Sequence, residues 1–108
     1  MKTNYLSSLA LLAAVAVLPT SGFAAGDAAA GKLKAFTCMG CHGIPSYNNV
    51  YPTYHVPKLG GQHAQYLVSA LQAYKAGKRS HKTMQAQASS LSEQDMQDIA
   101  AYFAQSSE

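Results

Sequence analysis

The chain has 108 residues, 48% of them hydrophobic and 12% charged, with a formal net charge of +3. So mild a positive balance excludes a nucleic-acid binder, which would carry a strongly basic face. The two cysteines, Cys38 and Cys41, enclose only two residues, too small a ring for a disulfide to stabilise the fold appreciably.

Residues 1–25 read as an export signal. Lys2 supplies a positive start, residues 6–18 carry no charge, and the segment ends in small residues, with the cut placed after Ala25 or Ala24. The apolar stretch is well short of the ~20 residues that cross a bilayer, so no membrane span is expected after cleavage. A periplasmic location follows. Residues 26–108 then form a single domain, near the size at which an apolar core alone is only marginally stabilising and a staple is usually needed.

Three segments of this domain carry helical periodicity, and none carries a convincing strand pattern. Asp27 is a candidate N-cap for the first helix, whose Ala29, Leu33 and Phe36 stand at i, i+4 and i+7 and lead straight into Cys38. Residues 43–61, rich in Gly, Pro, Asn and Tyr, are expected to form an irregular loop, and a loop of that length in so small a domain points to a bound group. A second helix is expected from about Gln62 to Ala76, with Leu67, Ala70, Leu71 and Tyr74 on one face and Gly77 as its stop. Residues 77–91 are polar apart from Met84, Ala86 and Ala88 and read as a loop with at most one helical turn. The third helix starts at Ser92, with Asp95 completing a capping box, Leu91 and Met96 at staple spacing, and a face running through Ile99, Ala100 and Phe103. Charge is polarised: Lys75, Lys78, Arg79 and Lys82 lie close together, followed by Glu93, Asp95 and Asp98.

Cys38, Met39, Gly40, Cys41 and His42 form C-x-x-C-H, the attachment sequence of c-type haem. Two thiols two residues apart on a turn are able to add to the two vinyl groups of one porphyrin, and the adjacent imidazole then lies under the iron. Competing readings are weaker. A thioredoxin-like pair wants a βαβ pattern that is missing here, and a zinc site wants four ligands at finger-like spacing, whereas His42, His55, His63 and His81 are scattered.

Together with Pro57, Lys58, Leu59, Gly60, Gly61 and Gln62, with Tyr66, Leu67, Tyr74, Gly77, Arg79 and Met84, and with residues 91–102, this motif makes the chain resemble class I cytochromes c. It is most similar to single-haem halves of the dihaem periplasmic cytochromes c, over nearly all of residues 27–105. The resemblance implies an all-α class I cytochrome c fold, about three main helices wrapped around one covalent haem c, with His/Met-ligated iron and electron transfer. There are two departures: only one haem motif is present, and residues 44–56 form a longer, Tyr-rich loop in which Tyr47, Tyr51 and Tyr54 are candidates to cover the porphyrin or merely pad the loop.

By the family pattern His42 is the proximal axial ligand and the Pro57 carbonyl accepts its Nδ1–H, fixing the ring and raising its donor strength. For the distal position, Met39 is locked between the two anchors and Met96 has a packing role, which leaves Met84. Two alternatives stay open: Met84 as a core contact in line with Ala88 and Leu91, and His81 as the ligand. Arg79 is a candidate contact to a haem propionate. Gly31, mid-helix, is expected to let the first helix cross close to the last near Ala100 and Tyr102. The basic cluster around residues 75–82 is the expected docking face for acidic redox partners.

These residues describe a periplasmic carrier of single electrons, not an enzyme, exchanging them with redox proteins such as a membrane-bound reductase or terminal oxidase. The alternatives are a haem-based ligand-binding or peroxidase-like module, and a cytochrome subunit of a respiratory dehydrogenase or oxidase complex.

Overall fold

The computed structural model describes residues 25–107. The export segment, up to residue 24, lies outside the described residues. Asp27 opens helix α1 (Ala28–Lys34), its carboxylate accepting the backbone N–H groups of Ala29 and Ala30. The chain then bends only at Ala35, a fully buried residue, before α2 (Phe36–His42). Helix α3 (Ala64–Lys75) stops at Gly77, whose φ of +71° suits glycine. There the Gly77 N–H donates to Tyr74 O and the Lys78 N–H to Ala73 O, the two bonds of a Schellman stop. The last helix, α5 (Glu93–Gln105), begins with a complete Ser92/Asp95 capping box.

Helix α5 is the hub. It crosses α1 on one side and α3 on the other, and the core between them is Ala35, Leu67, Val68, Ile99, Ala100 and Phe103. The α1–α5 crossing is so close that a Cβ on Gly31 would overlap the Asp98 carbonyl oxygen and stand 3.0 Å from the Tyr102 Cβ. Backbone, not large side chains, makes this contact. That corrects the expected apolar face of the first helix: Leu33 is 79% and Phe36 82% exposed. The buried stripe is Gly31 and Ala35, one turn apart. Leu33 lies about 200° around the helix from Gly31, and Phe36 about 140°, so both face away.

Gly31→Ala is accordingly expected to destabilise the domain by ~1–3 kcal/mol, the usual cost of forcing atoms into a packed crossing. Thermal melting followed by circular dichroism measures it. An unchanged midpoint would mean that α1 is free to shift away.

Two further expectations are corrected. Residues 77–91 are not mainly loop, since α4 (Lys82–Ser89) makes two helical turns. Its Gln and Ala residues are good helix formers, and its cap is His81, a residue type that gives little N-cap signal in a sequence. The loop 43–61 also contains a short antiparallel ribbon, β1 (Asn48–Asn49) against β2 (Tyr54–His55), with Asn49 opposite Tyr54. Asn49 Nδ2 donates to Pro52 O and Thr53 Oγ1 to Val50 O, closing the turn between the strands.

The acidic run of α5 has a structural partner. Lys34 Nζ lies 2.8 Å from Asp95 Oδ1 and 2.6 Å from Asp98 Oδ2, and buried Asp98 also accepts the Asp27 N–H and the Gln94 amide. The Lys34 ammonium does most to hold both carboxyls below the ordinary carboxylate range, with Ser92 assisting at Asp95 and the Asp27 N–H at Asp98. A carboxylate depressed in the folded state contributes stability above its unfolded pKa, ~3.9, and loses it as pH falls below that. Lys34→Met should therefore lower the melting midpoint at neutral pH and flatten its further fall between about pH 4 and 2. Midpoints measured across that range check it; parallel curves for parent and variant would locate the acid sensitivity elsewhere.

Candidate functional site

Helical geometry brings the C-x-x-C-H residues together. On α2, Cys38 and Cys41 are i and i+3 on one face, and His42 follows one residue on. The two cysteines form no disulfide with each other, and burial pushes the Cys38 thiol up from its ordinary value. His42 Nδ1 stands 2.8 Å from the Pro57 carbonyl oxygen. A carbonyl only accepts, so Nδ1 carries the ring hydrogen and the Nε2 lone pair remains available to a metal.

These groups form one wall of a cavity of about 410 Å³, within the usual range for a small-molecule or cofactor site. Leu67, Leu71 and Tyr74 of α3 form another side, Ile99 and Phe103 of α5 the floor, and Met84 of α4 stands among the lining residues together with Leu59 and Leu91. Among the described residues, Met84 is the methionine that lines this cavity. Met96 is fully buried in α5, and Met39 packs against the core and Gly43. A second cavity, of about 510 Å³, lies under the loop and shares His42, His55, Val56, Pro57 and Lys58 with the first. It contains neither thiol nor thioether. The chemistry is therefore in the apolar cavity.

All six residues singled out in the sequence, Cys38, Cys41, His42, Pro57, Arg79 and Met84, line that one cavity. Arg79 stands at its rim with its guanidinium 4.8 Å from the centre of the Tyr74 ring, and Nη1 donates to Tyr66 Oη at 3.3 Å. Of the tyrosines in the 44–56 loop, Tyr54 lines the cavity, whereas Tyr51 is 92% exposed. All four cations of the basic cluster are exposed, but Lys75 donates to the Leu91 carbonyl and Arg79 is held by the two tyrosines. Leu91, Ile99 and Phe103 read in the sequence only as packing residues of the last helix; their second role as cavity wall has no local signature.

Two thiols, an imidazole with one nitrogen already committed, and a thioether, all facing an apolar space, are a donor set that fits a covalently attached haem. The family model described as Cytochrome c matches residues 28–107. The chain belongs to the cytochrome c family. Cytochrome c domains bind covalent haem c with its iron, and the Cys38 and Cys41 pair matches that cofactor. A cytochrome c-554(548) from Halomonas halodenitrificans is 45% identical over 82 residues, which cover 73% of this chain and 95% of that protein. Cytochrome c4 from Pseudomonas stutzeri superposes with a TM-score of 0.61 at 41% identity, covering 76% of this chain and 46% of the other. A thiosulfate dehydrogenase structure from Marichromatium purpuratum gives a TM-score of 0.60 at 33% identity, over 82% of this chain and 22% of that one. The expected all-α class I cytochrome c fold is thus what the structure has. The chain spans about two fifths to half the length of the cytochromes c4 it matches, which fits one haem domain of a dihaem cytochrome.

Proposed function

We propose that this cytochrome c domain is a periplasmic carrier of single electrons, with haem c bonded to Cys38 and Cys41 and its iron held between His42 and Met84. The observation that carries the reading is that both thiols, the imidazole and the thioether line one apolar cavity. When bound, haem c supplies a reversible one-electron couple at its iron, and His/Met ligation raises its potential. The protein's part is binding and tuning. Cys38 and Cys41, which line the cavity, would hold the group through two thioether bonds. The Pro57 carbonyl holds the His42 ring through Nδ1, leaves Nε2 as the nitrogen that would hold the iron, and would make it a stronger donor. Leu59, Leu67, Leu71, Ile99 and Phe103 keep water away. His42 and Met84 would hold the iron from the protein and leave no ligand position for substrate, which is the arrangement of a carrier.

Arg79, at the rim, is assigned to a haem propionate, its position stiffened by Tyr74 and Tyr66. The partners are redox proteins presenting acidic surfaces, reached through exposed Lys78 and Lys82. No helix among the described residues is long and apolar enough to cross a membrane. A second reading, a cytochrome subunit serving one dehydrogenase, is supported by the likeness to the thiosulfate dehydrogenase structure.

The test is the exported protein itself. Haem should survive denaturing electrophoresis, the oxidised and reduced spectra should be those of six-coordinate haem c, and transfer rates to an acidic redox partner should fall with added salt as surface charges are screened. Haem lost on denaturation would overturn the attachment. Tight co-purification with one enzyme would favour the second reading.

A further inference from the structure

We infer that His81 is a positioning residue for Met84: its imidazole caps α4 and, packed against Tyr54 of the loop ribbon, sets where the Met84 thioether stands in the cavity. The inference rests on the reading of Met84 as the distal ligand.

His81 is the N-cap of α4, with extended backbone, and its Nδ1 accepts the Met84 backbone N–H at 3.3 Å. Met84 is the third residue of the helix, so this N–H is one of the donors that a helix start leaves without an internal partner. The other end of the same turn is closed by the Gln85 N–H donating to the His81 carbonyl at 2.9 Å. Helix α4 has only two turns, too few to hold its shape by propensity alone. The geometry of its first turn, and so the place of Met84, therefore depends on the cap.

Serine or asparagine would cap equally well, but an imidazole adds a flat ring that other elements are able to grip. The Tyr54 ring meets it edge-on, with centroids 4.6 Å apart and planes at 81°, and the Tyr74 ring stands 6.5 Å away at 74°. The Tyr54 hydroxyl also lies 3.4 Å from Thr83 Oγ1, the residue before Met84. Gln85 Nε2 donates to the Arg79 carbonyl at 3.0 Å and ties the segment before the cap to the helix after it. A chain of contacts thus runs from β2 through Tyr54 and His81 to the backbone of Met84. It gives the Tyr-rich loop a role: it braces the distal side of the site, and Tyr54 is its point of contact.

The test compares four variants of the haem-loaded protein, His81→Ala, His81→Asn, Tyr54→Leu and Met84→Ala, by titrating the oxidised form with imidazole and recording reduction potential and melting midpoint. His81→Ala should raise the apparent affinity for imidazole about fivefold, the factor that one lost cap bond corresponds to, and lower the potential. His81→Asn should fall between His81→Ala and the parent, because its Oδ1 is able to accept the same N–H while the ring that Tyr54 meets is lost. Tyr54→Leu should shift in the direction of His81→Ala by a smaller factor. Met84→Ala should open the iron fully. If it does not, the reading of Met84 is wrong and this inference falls with it. If Met84→Ala opens the iron while His81→Ala and Tyr54→Leu bind imidazole like the parent, positioning by His81 alone is overturned, and a lowered melting midpoint without a change in affinity overturns it equally. Equal opening by His81→Ala and His81→Asn would also overturn it, since the cap bond to the Met84 N–H would then contribute nothing. Should His81→Ala fail to load haem, Tyr54→Leu decides, an unchanged affinity counting against the inference.

Discussion

Protein carrying Cys38→Ser and Cys41→Ser is expected to lose most of its helical circular dichroism and its cooperative melting transition. Serine is close to cysteine in size, so the two substitutions change little in the packing, where Cys38 alone touches the core; what they remove is the attachment of the group that fills the cavity. That cavity is about 410 Å³, and at ~24 cal/mol per Å³ an unfilled space of this size costs at most roughly 10 kcal/mol. The whole stability of a small domain is only ~5–15 kcal/mol. Flooding with water lowers the cost, but it leaves Leu59, Leu71, Met84 and Leu91 only half-buried. The core that the protein makes by itself, nine buried hydrophobic residues of which three are alanines, is small for a domain of this length. Far-ultraviolet dichroism and thermal melting of the double variant decide the matter. Native-like helicity with a sharp transition would show that the helices hold themselves together without the cofactor.

Met84→Ala is expected to leave haem attached, since the bonds to Cys38 and Cys41 are covalent, while the potential falls and the ferrous protein gains the ability to bind carbon monoxide. Axial ligands move haem potentials over ~0.8 V in proteins at large, so a fall on the order of 0.1 V is the expected scale. Potentiometric titration and a carbon monoxide difference spectrum read the two effects separately. An unchanged spectrum would move the distal assignment to His81, which also lines the cavity. Met96 is not a candidate: it is fully buried and not among the lining residues. The alternative of Met84 as a mere core contact with Ala88 and Leu91 predicts a lower melting midpoint and no new affinity for carbon monoxide.

The helix ends are legible in the sequence because capping is local. Asp27 bonds to residues two and three ahead of it, Ser92 and Asp95 bond to each other, and Gly77 adopts a conformation that its neighbours do not. The close crossing at Gly31 is legible for a related reason. A glycine in mid-helix is a cost unless something occupies the space of its missing side chain, and here the Asp98 backbone does. The sequence points to a crossing near Ala100 and Tyr102, and Tyr102 is at it, beside the Asp98 backbone that makes the closest approach; the exact crossing point depends on the tilt of two helices and is written in no one segment.

By itself the sequence determined the family, the haem attachment motif and most helix boundaries, because each rests on residues within a few positions of one another. Covalent spacing, capping bonds and helical periodicity are short-range chemistry. Tertiary structure alone decided which faces are buried. Leu33 and Phe36 fit the periodicity of a buried stripe as well as Gly31 and Ala35 do, and only the approach of α5, which leaves no room for side chains, selects the small pair. It also decided that residues 82–89 are helical, since the cap that starts α4 is an imidazole steadied by Tyr54 from a loop far away in the chain. Arg79 shows the same principle: its charge is plain in the sequence, but its commitment to Tyr66 and Tyr74 arises from where α3 ends. Burial and long-range contact are properties of pairs of surfaces, and a pair exists only once the chain has folded.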